Sequence, residues 1–152
     1  MRRIVYTRPD GGLCVVHPVR NTLGETLATD EEIELRAFGK FPLDAINPQF
    51  VEASVLPQDR TFRNAWKQNG SLVEHDMVKA RDIHRDTLRS LRKPKLEVLD
   101  MAYLRADELG DVAEKARIAA KKQALRDVTD DQRIEAAQTP EQLKAVLPDV
   151  LK

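Results

Sequence analysis

The sequence is short of cysteine, aromatic residues and net charge, and each shortage removes a class of explanation. With the single Cys14, no internal disulfide can staple the fold, which fits a reducing compartment or an assembly built without crosslinks. Aromatic residues make up 5% of the chain against 33% charged and 41% hydrophobic, a balance that suits helices burying narrow stripes better than a compact enzyme. The 25 basic and 25 acidic side chains cancel, so no overall field draws the protein to nucleic acid or to an anionic membrane. No apolar run approaches the ~20 residues that span a bilayer. The opening Met1 to Tyr6 has a basic flank but too short an apolar run for a signal peptide. The expectation is a soluble protein, made and assembled inside a cell.

What the chain does have is a long stretch organised for helix. Between Asp76 and Glu108 there is no glycine and one proline. Apolar residues recur at Met77, Ala80, His84, Leu88 and Leu91, then at Leu96, Leu99, Tyr103 and Ala106, a three-and-four spacing that lays one stripe along a helix. A second run follows Gly110, with Val112, Ala113, Ala116, Ala119, Ala120, Ala124 and Val128. Two such helices joined by a short Gly-containing turn predict an antiparallel helical hairpin. Pro94 lies inside the first and predicts a kink or a break there, because proline in a helix interior costs about 3 kcal/mol.

The first half carries turn chemistry. Ile4–Thr7 and Leu13–His17 flank Arg8-Pro9-Asp10-Gly11-Gly12, a hairpin signal, and Pro18 ends the second strand. Asn21–Ala28 reads as a loop. Thr29-Asp30-Glu31-Glu32 reads as the start of a short helix that Gly39 stops, with a turn as the alternative. Phe50–Val55 predicts a strand between prolines. Thr61–Lys67 and Ser71–Glu74 predict a second hairpin about Gln68-Asn69-Gly70. Asp76 is placed to cap the long helix. Thr129–Asp131 reads as a loop, and Thr139-Pro140-Glu141-Gln142 starts a short helix through Val146 that Pro148 closes. The fold class is therefore α+β: a small antiparallel β-hairpin region over 1–75, a Pro-interrupted helical hairpin over 76–128, and a tail with a short helix over 129–152.

Catalytic and metal chemistry find little footing. His75 and His84 are nine residues apart, outside the spacings of a helix-borne zinc site. Cys14 and His17 stand three apart on one short strand, on opposite faces, and cannot pair as nucleophile and base. His84-Arg85-Asp86 spells a kinase tripeptide without a glycine-rich loop or a downstream Asp-Phe-Gly. Asn69-Gly70-Ser71 fits a glycosylation acceptor but sits at a turn. No catalytic residue, metal or cofactor is expected.

Two sets of residues remain as binding candidates. Arg81, Arg85 and Arg89 lie four apart on one helix face, the geometry for tracking phosphates, although Asp82 and Asp86 precede Arg85 and Arg89 by three residues and can neutralise them. Phe62 and Trp66, with the stripe Leu88, Leu91, Leu96, Leu99 and Tyr103, are candidates for contact with a partner protein.

Asp59-Arg60-Thr61-Phe62-Arg63-Asn64-Ala65-Trp66, Asp76-Met77-Val78-Lys79-Ala80-Arg81-Asp82-Ile83-His84-Arg85 and the opening Tyr6-Thr7-Arg8-Pro9-Asp10-Gly11-Gly12 resemble small proteins of the tail and tail-fibre region of tailed bacteriophages. Lys122-Gln123-Ala124-Leu125-Arg126-Asp127, followed by Pro148, is similar to the Tyr-Arg-Gln-Ala-Leu-Arg-Asp-Leu-Pro stretch of phage tail-assembly chaperones. Here Lys121-Lys122 stands in place of Tyr-Arg, and Val128-Thr129 in place of Leu-Pro. The resemblance implies a non-enzymatic virion component acting through protein–protein contacts. Its expected partners are other tail or fibre proteins, with the chain itself a homo-oligomer or present in several copies in a symmetric assembly, and neither membrane nor nucleic acid is an expected partner. It would reside in the virion after assembly in the host cytoplasm. The alternatives are a tail or fibre assembly chaperone that leaves before maturation, and a nucleic-acid-binding helical protein.

Overall fold

The structure is a computed structural model that describes residues 2–19 and 29–152. The loop expected over Asn21–Ala28 lies outside the described residues. The chain is α+β and divides into two compact units, Met1–Asp76 and Met77–Lys152.

In the first unit, β1 (Arg3–Thr7) pairs antiparallel with β2 (Leu13–Val16) on one side and with β3 (Ile46–Val51) on the other. The β1–β2 connection uses the turn residues as the sequence suggests. Gly11 takes φ 77°, Gly11 N–H donates to Arg8 O at 2.8 Å, and Arg8 N–H donates to Gly12 O at 2.8 Å. A side chain on Gly12 would collide with the Arg8 guanidinium. Thr29 caps α1 (Asp30–Phe38) in a reciprocal box: its hydroxyl accepts from Glu32 N–H, and the Glu32 carboxylate accepts from Thr29 N–H. A second hairpin, β4 (Trp66–Asn69) with β5 (Leu72–His75), turns through Gly70 and Ser71, Gly70 at φ 59°. Val5, Val51, Trp66 and Val73 form a buried cluster, with Leu13, Val15 and Leu56 packed against it. The sole tryptophan is thus core, and its indole N–H donates to His75 Nε2 at 3.0 Å.

Two strand expectations are corrected. The strand predicted over Phe50–Val55 is displaced toward the N-terminus, running Ile46–Val51, and Ala53–Val55 is a 3₁₀ turn. Pro48 is tolerated because β3 is an edge strand with a bulge opposite Tyr6, where Asn47 adopts φ 49° and no ladder bond is required of the proline. The strand predicted from Thr61 begins only at Trp66, because Arg63–Ala65 closes a 3₁₀ turn first.

The second unit is built on α2 (Met77–Glu108) and α3 (Val112–Arg126). Gly110 at φ 68° ends α2, with Asp111 N–H donating to Ala106 O at 2.9 Å, and Asp111 then caps α3 by accepting from Glu114 N–H. The pairs Lys115–Asp107 and Lys122–Asp100 step in opposite directions along the two helices and fix them as antiparallel. Beyond α3 come a 3₁₀ turn (Asp127–Asp130), the short α4 (Gln132–Ala136), α5 (Pro140–Lys144) and a last 3₁₀ turn (Asp149–Leu151). Thr139 caps α5 with Pro140 in the first turn, as predicted, although α5 ends at Lys144 rather than at Val146.

Three helical expectations are corrected. Of the kink or break expected at Pro94, the break is absent: α2 is continuous from Met77 to Glu108. Pro94 and Ser90 are both exposed, so water can serve the Ser90 carbonyl that loses its partner. Tertiary contacts anchor α2 on both sides of the proline, at buried Leu88 and at Ala106. The alanine stripe predicted to be the inner face of α3 is exposed. Ile118 and Leu125 are buried instead, because larger side chains gain more from leaving water than Ala does. The predicted loop over Thr129–Asp131 is 3₁₀ up to Asp130, and α4 follows it with Asp131 as its cap.

Candidate interaction surfaces

The basic residues of α2 do a structural job that their spacing did not reveal. Arg81 Nε–H donates to Ile134 O at 3.1 Å and Arg81 Nη2–H to Ala137 O at 2.9 Å, gripping the C-terminal carbonyls of α4. Arg92 Nη1–H donates to Arg126 O at 2.6 Å at the end of α3. Arg85 reaches Thr129 O at 3.4 Å and ion-pairs with Glu135 and Asp82. These pairings, the Glu135 hydrogen bond foremost, raise the Arg85 pKa further above its usual range. The carbonyls at helix ends lack intrahelical donors, and guanidinium groups satisfy them here. Arg89 is paired with Asp86 at 2.5 Å. Of the three residues read as phosphate contacts, all are therefore engaged within the chain, and the opposite charges at Asp82 and Asp86 act as their spacing suggested.

The partner-contact candidates separate by exposure. Phe62 and Trp66 are each 3% exposed and Leu88 is fully buried, so these three are core. Leu96 and Leu99 are half-buried, as is Tyr103, whose ring takes Lys122 Nζ at 5.2 Å and Lys115 Nζ at 5.7 Å over its face. Leu91 alone among them is exposed. It belongs to a stripe the sequence reading did not isolate. Leu91, Pro94, Val98 and Met101, at three- and four-residue spacing, face solvent together, with Val98 69% and Met101 56% exposed. Beside them Pro94, Val98, Leu99, Leu125 and Val150 line an apolar groove of about 510 Å³, with Lys95 and Lys121 at its rim. The signal for this face was present in the 3.6-residue period, but the buried stripe uses the same period and masked it.

The other chemistry-bearing side chains are tied into structure. His84 is buried, and its Nε2 lies 2.9 Å from Val146 O, which accepts. The Tyr6 phenol is pushed above its usual range by its hydrogen bond with Cys14, then by burial. Glu34, buried in α1, is held below the usual carboxylate range chiefly by the Arg2 guanidinium and then by Arg2 N–H. Arg2 also lies over the Phe50 ring at 4.5 Å, and Phe50 stacks on Phe38 at 5.0 Å, so this cluster fastens α1 to the sheet. Among the described residues no group of His, Cys, Asp and Glu is arranged to hold a metal ion, and no helix is long and apolar enough to cross a membrane. Comparison with protein-family models, curated proteins and solved structures finds no match to this chain.

Proposed function

We propose that this chain is a non-enzymatic docking protein of the tail or tail-fibre region of a tailed bacteriophage, and that it holds a neighbouring tail component through the outward face of α2. The observation that carries the docking role is the stripe Leu91, Pro94, Val98 and Met101 beside the apolar groove. Apolar surface gathered on one helix face loses free energy when a partner covers it, at roughly 25 cal/mol per Å². The tail or tail-fibre assignment rests on the sequence resemblance about Asp59–Trp66 and Asp76–Arg85. In this reading the arginines of α2 stiffen the hairpin, and the stripe meets the partner as a preformed surface with little ordering cost.

Mass spectrometry of purified virions tests the assignment. The protein should be present in mature particles. Its absence there, with abundance in infected cells, sinks the virion reading in favour of an assembly chaperone. The docking role is tested separately by pull-down of tail components with Val98→Glu/Met101→Glu, which should lose them while keeping the native helix content.

A further inference from the structure

Five arginines of the first unit, Arg2, Arg3, Arg8, Arg60 and Arg63, fall into two kinds. Arg2 is bound to Glu34 and Arg8 to Asp10. Arg3, Arg60 and Arg63 have no carboxylate partner among the described residues. These three converge. Continuing the β1–β2 ladder one step beyond the Ile4–Val16 pair sets Arg3 opposite His17. Alternation along the strands puts Arg3, Val5 and Thr7 on the sheet face that also carries Leu13 and Val15. The β4–β5 hairpin covers that face, with Trp66 packed on Val5 and Gln68 Oε1 3.4 Å from Thr7 Oγ1. Because β4 runs from the Val5 level to the Thr7 level, the turn preceding it lies at the Arg3 end. Arg63 N–H donates to Arg60 O at 3.0 Å and closes that turn, so both arginines leave the backbone at one place. Consistent with this, burial first, and then the charges of Arg3, Arg60 and Arg63, lower the pKa of His17 from its ordinary 6.5.

We propose that Arg3, Arg60 and Arg63, with His17 beside them, form an oxyanion site for a phosphate-bearing ligand. Like charges brought together repel, and an incoming anion relieves that repulsion. Guanidinium groups suit phosphate because their donors form a planar fork that matches two oxygens at once. Asp59, the nearest acid in sequence, has its Oδ1 turned to Thr61, accepting from the N–H at 2.8 Å and from the hydroxyl at 2.5 Å. His17, Arg60 and Arg63 are exposed, so the phosphate is taken at the surface and the rest of its carrier stays outside. The site is independent of the α2 stripe, and it differs from the Arg81, Arg85 and Arg89 series, whose donors are already used.

The test is an NMR titration of the intact protein with inorganic pyrophosphate and, in a second arm, with a duplex oligonucleotide. Either ligand should shift the signals of Arg3, His17, Arg60 and Arg63, and bound anion should raise the His17 pKa, since a nearby negative charge favours the imidazolium. Arg60→Gln/Arg63→Gln should weaken binding about tenfold or more, the loss of two charge-assisted bonds. Pyrophosphate alone would identify a small phosphate ligand. Stronger binding of the oligonucleotide, with affinity falling at a salt slope of about −2.7 for three contacts, would identify a phosphodiester backbone. The proposal is overturned if neither ligand moves these signals, if the shifts centre on Arg81 and Arg85, or if the double variant binds as the wild type does. Should the double variant misfold, the wild-type titration and Arg60→Lys/Arg63→Lys, which keeps the charge but loses the fork, decide the matter.

Discussion

Replacing Arg81 separates a structural reading of the α2 arginines from a nucleic-acid reading. Its two donors hold Ile134 O and Ala137 O, and its side chain is only 15% exposed, whereas the Glu135 carboxylate 3.8 Å away is 64% exposed and adds little. A hydrogen bond from a charged donor contributes about 1.5–3 kcal/mol. One guanidinium makes both bonds and is ordered only once, so Arg81→Met should cost about 2–4 kcal/mol, with the two carbonyls left to find water. Arg81→Lys should recover less than half of this, since one ammonium cannot span both acceptors as the fork does. For a cooperative unit of 60–100 residues, 1 kcal/mol moves Tm by roughly 4–8 °C. The expected fall for Arg81→Met is therefore about 8–30 °C, followed by far-UV circular dichroism and confirmed by a lower denaturant midpoint at unchanged slope. Affinity for DNA should not change. If Arg81→Met melted within about 0.5 kcal/mol of the wild type, the range of ordinary surface substitutions, the capping argument would be wrong.

Three further outcomes follow from other parts of the molecule. Pro94→Ala should stabilise α2 by about 2 kcal/mol, the helix-interior penalty of about 3 less the stiffness that proline gives the unfolded chain; a lower Tm would mean that the proline makes an essential contact. Glu34 titrates below its ordinary value near 4.5, so its contribution is complete above that pH and fades as pH falls through the depressed folded value. Glu34→Gln should accordingly lower stability at neutral pH and flatten the acid limb of a pH–stability curve, and an unchanged limb would refute the pairing. Val98→Glu/Met101→Glu should leave stability within about 0.5 kcal/mol, because both positions are solvent-facing; a large destabilisation would show that the stripe is part of the chain's own core.

The elements most legible in the sequence were those specified by a few adjacent residues. Asp10-Gly11-Gly12, the helix start at Thr29-Asp30-Glu31-Glu32 and Thr139-Pro140 each act through hydrogen bonds and dihedrals within a few residues, and each appears where it was read. The buried positions Ala80, His84, Leu88 and Ala106 also follow the period of α2. What escaped depends on partners distant in sequence. Pro94 continues its helix because contacts elsewhere in the unit hold both sides. Pro48 joins a strand because that strand is an edge. The inner face of α3 could not be chosen from a run with alanines on most sides. The contacts of Arg81 and Arg92 join residues more than thirty positions apart, and no local pattern announces such pairs. For Arg85 and Arg89 the pairing with Asp82 and Asp86 was readable from the three-residue spacing, whereas the long-range acceptors of Arg81 and Arg85 were not.

The indole of Trp66, bonded to His75 inside the first unit, gives the protein a built-in optical reporter. As the sole tryptophan, it will dominate emission excited at the red edge, so fluorescence follows the β-hairpin region, while the helical ellipticity comes mostly from the second unit. One sample heated once, and observed through both windows, will tell whether the two halves of this chain come apart together or in turn.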